Sequence, residues 1–307
     1  MRIVFAGTPE FAAKHLEALL HSRHEILAVI TQPDKKGKRG RSLVESPVKK
    51  LALESQLPTL QPLKLTKKDL SPFSFELLVV VAFGQILNLD ILETPTKGAI
   101  NVHASLLPRW RGAAPIQRSI LAGDKNSGIT IMQMDDGLDT GNILTCHSIE
   151  SAGDSSGSLS KKLCIIGQEL LLKTIENLDR LQQDAIPQRE ELANYAKKIS
   201  KDEAKIDWLS DSAFIDRQVK AFNPSPAAYT FIDGIRVKIF SAEESKEDQG
   251  NAGEIIRISK DGVLVGTKTK AIRIKELQLN QGKGNILKET DIQNGWSHIF
   301  SRGKTFD

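Results

Sequence analysis

Asn101 and His103 stand two residues apart in the run GAINVH at 98–103, a stretch apolar enough to form a buried strand. Side chains at i and i+2 of a strand leave on the same side, so an amide donor and an imidazole can converge on one atom at the strand's end. That pair suits chemistry in which negative charge grows on an oxygen. The amide donates to the developing oxyanion, and the imidazole acts in acid-base transfer or, when protonated, as a positive charge. A carboxylate beside the imidazole would orient it and favour its cationic form. Asp135, Asp136 and Asp139, in the stretch MQMDDGLDTG, are the candidates for that carboxylate. On these residues alone the chemistry is acyl or related group transfer, and a purely structural role for any one of them stays open.

Elements that could position this pair are legible on either side of it. The opening RIVFAGTPEFAAKHLEALL reads as a buried strand over Ile3 to Ala6, a turn at Gly7, and a helix with Phe11, Leu16, Leu19 and Leu20 on its apolar face. EILAVITQ at 25–32, ELLVVVAFGQIL at 76–87 and GAINVH supply three more strands too uniformly apolar to be solvated on one face. Strands of this type separated by helical patterns predict a doubly wound α/β domain with a mostly parallel sheet, whose ligands bind at the carboxyl ends of the strands. Gly7 alone does not make a dinucleotide site, because Pro9 and Ala12 occupy the other glycine positions of that fingerprint. Thr8 and Phe11 are expected to pack or to shape the cleft.

Leu159, Leu163, Ile166 and Leu170 recur at helical spacing and predict one long helix from about 158 to 182. The polar stretch 187–205, which contains Pro187, reads as a linker between a first domain over 1–186 and a second over 206–307. Beyond Ile206 the rhythm is short alternating strands with turns at Asp233-Gly234 and Asp261-Gly262, the pattern of a small β-barrel.

With 307 residues, 40% hydrophobic and 26% charged, the chain is long enough for two cores and far from disordered or fibrous composition. The two cysteines, Cys146 and Cys164, are too few for a disulfide framework, so a reduced cytoplasmic setting and two buried packing residues are expected. No signal peptide is read at the start, and the most apolar stretch, Leu77 to Leu87, is too short to span a membrane. No metal-ligand spacing is present, and no metal is expected. The net charge is only +4, but seven basic residues face two acidic ones between Thr31 and Lys50, and ten face six from Gln249 to Asp307. Each run fits either a solvated face or a surface for a polyanion.

Together, NVHASLLPRWRGAAPIQ at 101–117 and GITIMQMDDGLDTG at 128–141 resemble the signature of the folate-dependent formyltransferases. MRIVFAGTPEFA, TQPDKKGKRGRSL, VVVAFGQIL, KISKDEAKIDW and FNPSPAAY extend the likeness over essentially the whole chain, although Ser225 stands where many relatives carry a bulky aromatic. The resemblance implies a Rossmann-like formyltransferase domain followed by an OB-like β-barrel that helps hold tRNA. It implies transfer of the formyl group of 10-formyltetrahydrofolate to the α-amine of methionine esterified to initiator tRNA, by a monomer. The catalytic trio falls on Asn101, His103 and Asp139, and the folate-contacting turn on Ser105, Leu106, Leu107 and Pro108.

By the same resemblance the basic loop enters the tRNA acceptor arm, with Arg39 as the principal contact and Lys35, Lys36, Lys38 and Arg41 adding salt-sensitive attraction. Gly37 and Gly40 suggest a loop that orders when tRNA binds. Lys268, Lys270, Arg273 and Lys275 of the second domain would extend the track. Two rival readings remain: a formyltransferase acting on a glycinamide ribonucleotide or a nucleotide-linked amino sugar, and a non-catalytic RNA-binding protein. A second domain and a basic loop are not required by the first, and an intact Asn101, His103 and Asp139 are not required by the other.

Overall fold

The computed structural model describes residues 1–36, 43–246, 250–280 and 284–307. Lys38, Arg39 and Arg41, with the expected ordering of their loop, lie outside the described residues, as does the side chain of Lys36. Two compact units are present. One comprises Met1–Pro115, Asn126–Glu150 and Ser160–Lys197; the other comprises Ile116–Lys125, Ser151–Leu159 and Lys198–Asp307.

The first unit is built on a seven-stranded sheet. Its strands are β1 (Arg2–Gly7), β2 (Glu25–Ile30), β3 (Thr59–Leu60), β4 (Leu77–Val81), β5 (Ala99–His103), β6 (Asn126–Gln133) and β7 (Ile143–Glu150). They lie in the order β7-β6-β5-β4-β1-β2-β3, with β5, β4, β1, β2 and β3 parallel and β6 and β7 antiparallel at one end. All five residues of β4 are buried, as are residues 3–7 of β1, so both faces of the central strands are covered. Val4, Ala6, Ile30, Leu78 and Val80 share one core with Phe75, Phe83 and Leu87. The helix α1 (Glu10–Leu20) follows β1 directly, and α2 (Pro47–Glu54) starts at Ser46, whose Oγ accepts from Lys49 N at 3.0 Å, with Pro47 at its first position.

Two local expectations are corrected. Cys164 is buried as expected, but Cys146 is exposed, because β7 is an edge strand with solvent on much of one side. The helix read over 158–182 is two helices, α3 (Ser156–Glu176) and α4 (Leu178–Gln183). Asn177 breaks them: its side-chain amide donates to the carbonyl of Lys173 at 2.8 Å, and its backbone leaves helical dihedrals.

The second unit carries a six-stranded antiparallel sheet. A hairpin of β8 (Ala228–Ile232) and β9 (Ile235–Glu244) turns at Asp233 and Gly234, both at positive φ (49° and 75°) as its tight turn requires. The strands β10 (Ile255–Ser259), β11 (Gly262–Val265), β12 (Ile272–Leu279) and β13 (Leu287–Lys288) complete it, and β12 alternates buried Ile272 and Ile274 with half-buried Arg273 and Lys275. The helix Ser212–Phe222 buries Ile215, Val219 and Phe222, spaced to lie on one face. Among the described residues no helix is long and apolar enough to cross a membrane.

Candidate active site

β5 lies between β4 and β6 and delivers Asn101 and His103 to the same side, two residues apart, with side chains 9% and 6% exposed. Both meet Asp139. Asn101 Nδ2 donates to Asp139 Oδ1 at 3.3 Å, and His103 Nδ1 stands 3.6 Å from Asp139 Oδ2. That second separation is an ion-pair distance, longer than a hydrogen bond. Asp139 Oδ2 is also held by the backbone N–H of Gly112 at 2.7 Å. On the far side of the ring, His103 Nε2 lies 2.9 Å from the carbonyl oxygen of Trp110. A carbonyl only accepts, so Nε2 carries a hydrogen, and Nδ1 is the nitrogen that faces the carboxylate.

The loop between β6 and β7 sorts the three aspartates. Asp135 accepts from Gly137 N at 3.1 Å and from Thr140 Oγ1 at 2.6 Å, so it organises the loop. Asp136 is exposed. Asp139 alone reaches the Asn101–His103 pair, and it does so with φ at +57°, a left-handed backbone that aspartate tolerates better than most residues. Behind it the loop returns so tightly that a Cβ on Gly141 would lie 1.7 Å from the Gln133 carbonyl oxygen.

Sequence reasoning missed the Trp110 carbonyl and the Gly112 amide. Neither is a side chain, and only the adjacency of RWRG to the N-x-H strand hinted at them. Trp110 is itself in the left-handed region at φ 65°, and its N–H donates to Asn194 Oδ1 at 2.5 Å.

The SLLP turn lies directly after β5 and uses most of its polar groups internally. Ser105 Oγ donates to the Arg109 carbonyl at 2.7 Å, and Arg109 N donates to the Leu106 carbonyl at 3.1 Å. Thr130 Oγ1 donates to the Ser105 carbonyl at 2.7 Å and accepts from Leu107 N at 3.1 Å. Ser105 and Leu107 are buried, whereas Leu106 and Pro108 are partly exposed, and Leu106 packs where a Cβ on Gly128 would intrude. The turn is therefore held by its own hydrogen bonds and by Thr130. At the end of β1, Thr8 Oγ1 donates to the Phe83 carbonyl at 3.0 Å, and Phe11 packs against His15.

The candidate basic residues divide. Lys35 is exposed, and Lys49, counted in the same segment, is committed to Asp34 at 2.6 Å with Glu45 at 3.3 Å. In the second unit Lys268 stands 3.7 Å from Asp211, Lys270 2.7 Å from Glu244, and Lys275 2.7 Å from Glu243. Arg273 is half-buried on β12 between two isoleucines. Ser225 is exposed, so its small side chain leaves no gap there. Among the described residues no three His, Cys, Asp or Glu side chains gather as metal ligands would.

Residues 1–175 match the formyl transferase family model, and residues 198–294 match the model for the formyl transferase C-terminal domain. Methionyl-tRNA formyltransferase of Pseudoalteromonas translucida (strain TAC 125) is 48% identical over 99% of this chain and 96% of its own length. Among solved structures, HypX from Aquifex aeolicus in complex with tetrahydrofolic acid superimposes with a TM-score of 0.66 at 17% identity, over 97% of this chain and 47% of that one. Methionyl-tRNA formyltransferase from Clostridium thermocellum gives a TM-score of 0.54 at 19% identity, over 80% of this chain and 94% of that one. These two share the fold. Matched from end to end by close relatives and carrying Asn101, His103 and Asp139 in one cluster, the chain belongs to the formyl transferase family and, within it, to the methionyl-tRNA formyltransferases.

Proposed function

We propose that this chain transfers the formyl group of 10-formyltetrahydrofolate to the α-amine of methionyl initiator tRNA, releasing tetrahydrofolate and N-formylmethionyl-tRNA. The observation that carries the reading is the meeting of Asn101, His103 and Asp139 at the carboxyl end of β5, in a chain of this family.

The neutral amine attacks the formyl carbon, and the carbonyl electron pair moves to oxygen. The tetrahedral species then collapses as the carbon–N10 bond breaks, the amine loses a proton and N10 gains one. Asn101 has two amide hydrogens and commits one to Asp139, leaving the other for the oxyanion. His103 gives Nε2 to Trp110, so it acts through positive charge when Nδ1 is also protonated, balanced by Asp139. Asp139 holds both partners in place and takes the amine's proton. Ser105 to Pro108 form the folate-facing wall. Arg39 leads the tRNA contacts, supported by Lys35, Lys36, Lys38 and Arg41, with Lys268, Lys270, Arg273 and Lys275 on the second unit. The protein works as a cytoplasmic monomer.

Tetrahydrofolate release with three acceptors in parallel, methionyl-tRNA, a glycinamide ribonucleotide and a nucleotide-linked amino sugar, tests the substrate class. Turnover with methionyl-tRNA alone is expected; turnover confined to either small amine overturns the reading.

A further inference from the structure

The Arg111 side chain is fully buried, and it bonds Gln188, Glu190 and Tyr195, all from the polar stretch that joins α4 to the rest of the chain. Its Nε donates to Gln188 Oε1 at 3.0 Å, and its two terminal nitrogens fork onto Glu190 at 2.9 and 2.6 Å. Glu190 holds the guanidinium more firmly protonated, and the guanidinium in turn lowers the Glu190 carboxyl. The other end of Gln188 reaches the reaction centre. Its Nε2 donates to the carbonyls of Asp139 at 2.9 Å and Gly141 at 2.8 Å, so every polar atom of this amide is spent on holding Arg111 and the Asp139 loop.

The same stretch also holds the opposite side of the imidazole. Asn194 Oδ1 accepts from Trp110 N at 2.5 Å, and the Asn194 carbonyl accepts from Arg111 N at 3.0 Å. Tyr195 and Ala196 pair in parallel with Arg111 and Gly112, fixing the Trp110 carbonyl that receives His103 Nε2 and the Gly112 amide that holds Asp139 Oδ2. A Cβ on Gly112 would stand 3.0 Å from the Ala196 carbonyl oxygen, so the two segments approach as closely as the backbone allows. An apolar side chain would fill the place of Arg111 without the cost of desolvating a charge. The buried guanidinium forked onto a carboxylate that itself faces solvent gives direction more than stability.

We infer that residues 188–196 form a strap that sets the separation of Asp139 from His103 and Asn101, with Gln188 the positioning residue for Asp139 and Arg111 the residue that fixes Gln188. The inference rests on Asn101, His103 and Asp139 being the reaction centre. A strap of this kind acts on the chemical step rather than on substrate affinity, since misplacement of a catalytic group by an ångström costs up to about 100-fold in rate.

The test is steady-state kinetics of Gln188→Leu, which keeps side-chain volume, made alone and in an Asp139→Asn background. Arg111→Lys, which keeps the buried charge but loses the fork, is the second variant. For Gln188→Leu, kcat falls about tenfold while KM for both substrates stays within about twofold, and in the Asp139→Asn background the same substitution changes kcat by less than about twofold. Arg111→Lys lowers kcat about threefold with KM held. A Gln188→Leu enzyme with the parent kcat, or an equal loss with and without Asp139, overturns the strap. Failure of the underlying site reading shows separately, as Asp139→Asn alone retaining the parent kcat.

Discussion

His103 is held between two acceptors of unequal character: Nε2 lies 2.9 Å from the neutral carbonyl of Trp110, and Nδ1 lies 3.6 Å from the carboxylate of Asp139. The carbonyl fixes the tautomer, and the carboxylate stands opposite the other ring nitrogen, so the two sides of the ring are held by different groups. Asp139→Asn keeps the shape and the bond to Gly112 N but removes the negative charge. It is expected to lower kcat roughly 100-fold or more with little change in either KM, in initial-rate assays at saturating co-substrate. A variant at the parent rate would remove Asp139 from the reaction.

Asn101→Ala deletes the amide proposed to donate to the oxyanion. Loss of one such donor costs about 100- to 1,000-fold in kcat. Circular dichroism should show the fold retained, because the Asn101 side chain bonds the Asp139 loop and not the core of the sheet.

Gly141→Ala should be far more damaging than its one carbon suggests. The added Cβ would meet the Gln133 carbonyl oxygen at 1.7 Å, so the loop carrying Asp139 has to open. Loss of both activity and about 2 kcal/mol or more of unfolding free energy is expected in urea titrations. Gly295→Ala, with no neighbour within 4 Å, serves as the comparison and should change neither.

The paired lysines of the second unit should matter less to tRNA than Arg39. Lys275 and Lys270 each have a carboxylate at 2.7 Å, which cancels much of their field before a phosphate approaches. Arg39→Ala is expected to raise KM for methionyl-tRNA about tenfold, leave that for the folate co-substrate unchanged and flatten the salt dependence, whereas Lys275→Ala shifts the tRNA KM by about twofold or less. Equal effects of Arg39→Ala on both substrates would contradict the loop's role.

His15 gives the first unit a pH dependence of its own. It is buried, its Nδ1 lies 2.7 Å from the Phe11 carbonyl, and burial lowers its pKa from 6.5 to about 4. The unfolded chain takes up a proton near pH 6.5 and the folded one only near 4, so stability is full above about 6.5 and is lost as pH falls toward 4. The gap corresponds to about 3 kcal/mol at most. His15→Leu should flatten the unfolding free energy across that window; an unchanged slope would show that His15 does not carry it.

Much of this architecture was legible because the deciding patterns are local. The uniform apolar runs of Ile3 to Ala6 and Leu77 to Val81 can exist only inside a covered sheet, and the two-residue spacing of Asn101 and His103 forces them to one side. Asp139 could not be chosen over Asp135 and Asp136 from periodicity, because the choice is made by a left-handed backbone and by hydrogen bonds inside the loop. The partners of His103 and Asp139 at Trp110 and Gly112 are backbone groups, which no residue type advertises. Gln188, Glu190 and Asn194 lie in a polar stretch that reads as a linker. Their polar atoms bond Arg111 and Trp110, more than 75 residues away, a pairing that local sequence does not advertise.

Formyl transfer from 10-formyltetrahydrofolate to methionyl initiator tRNA, methionyl elongator tRNA and free methionine, measured side by side with the folded protein, tests the central claim most directly. Formylation of the initiator at a kcat/KM at least about 100-fold above either competitor is the expected result. Equal formylation of free methionine, or none of any acceptor, would contradict it.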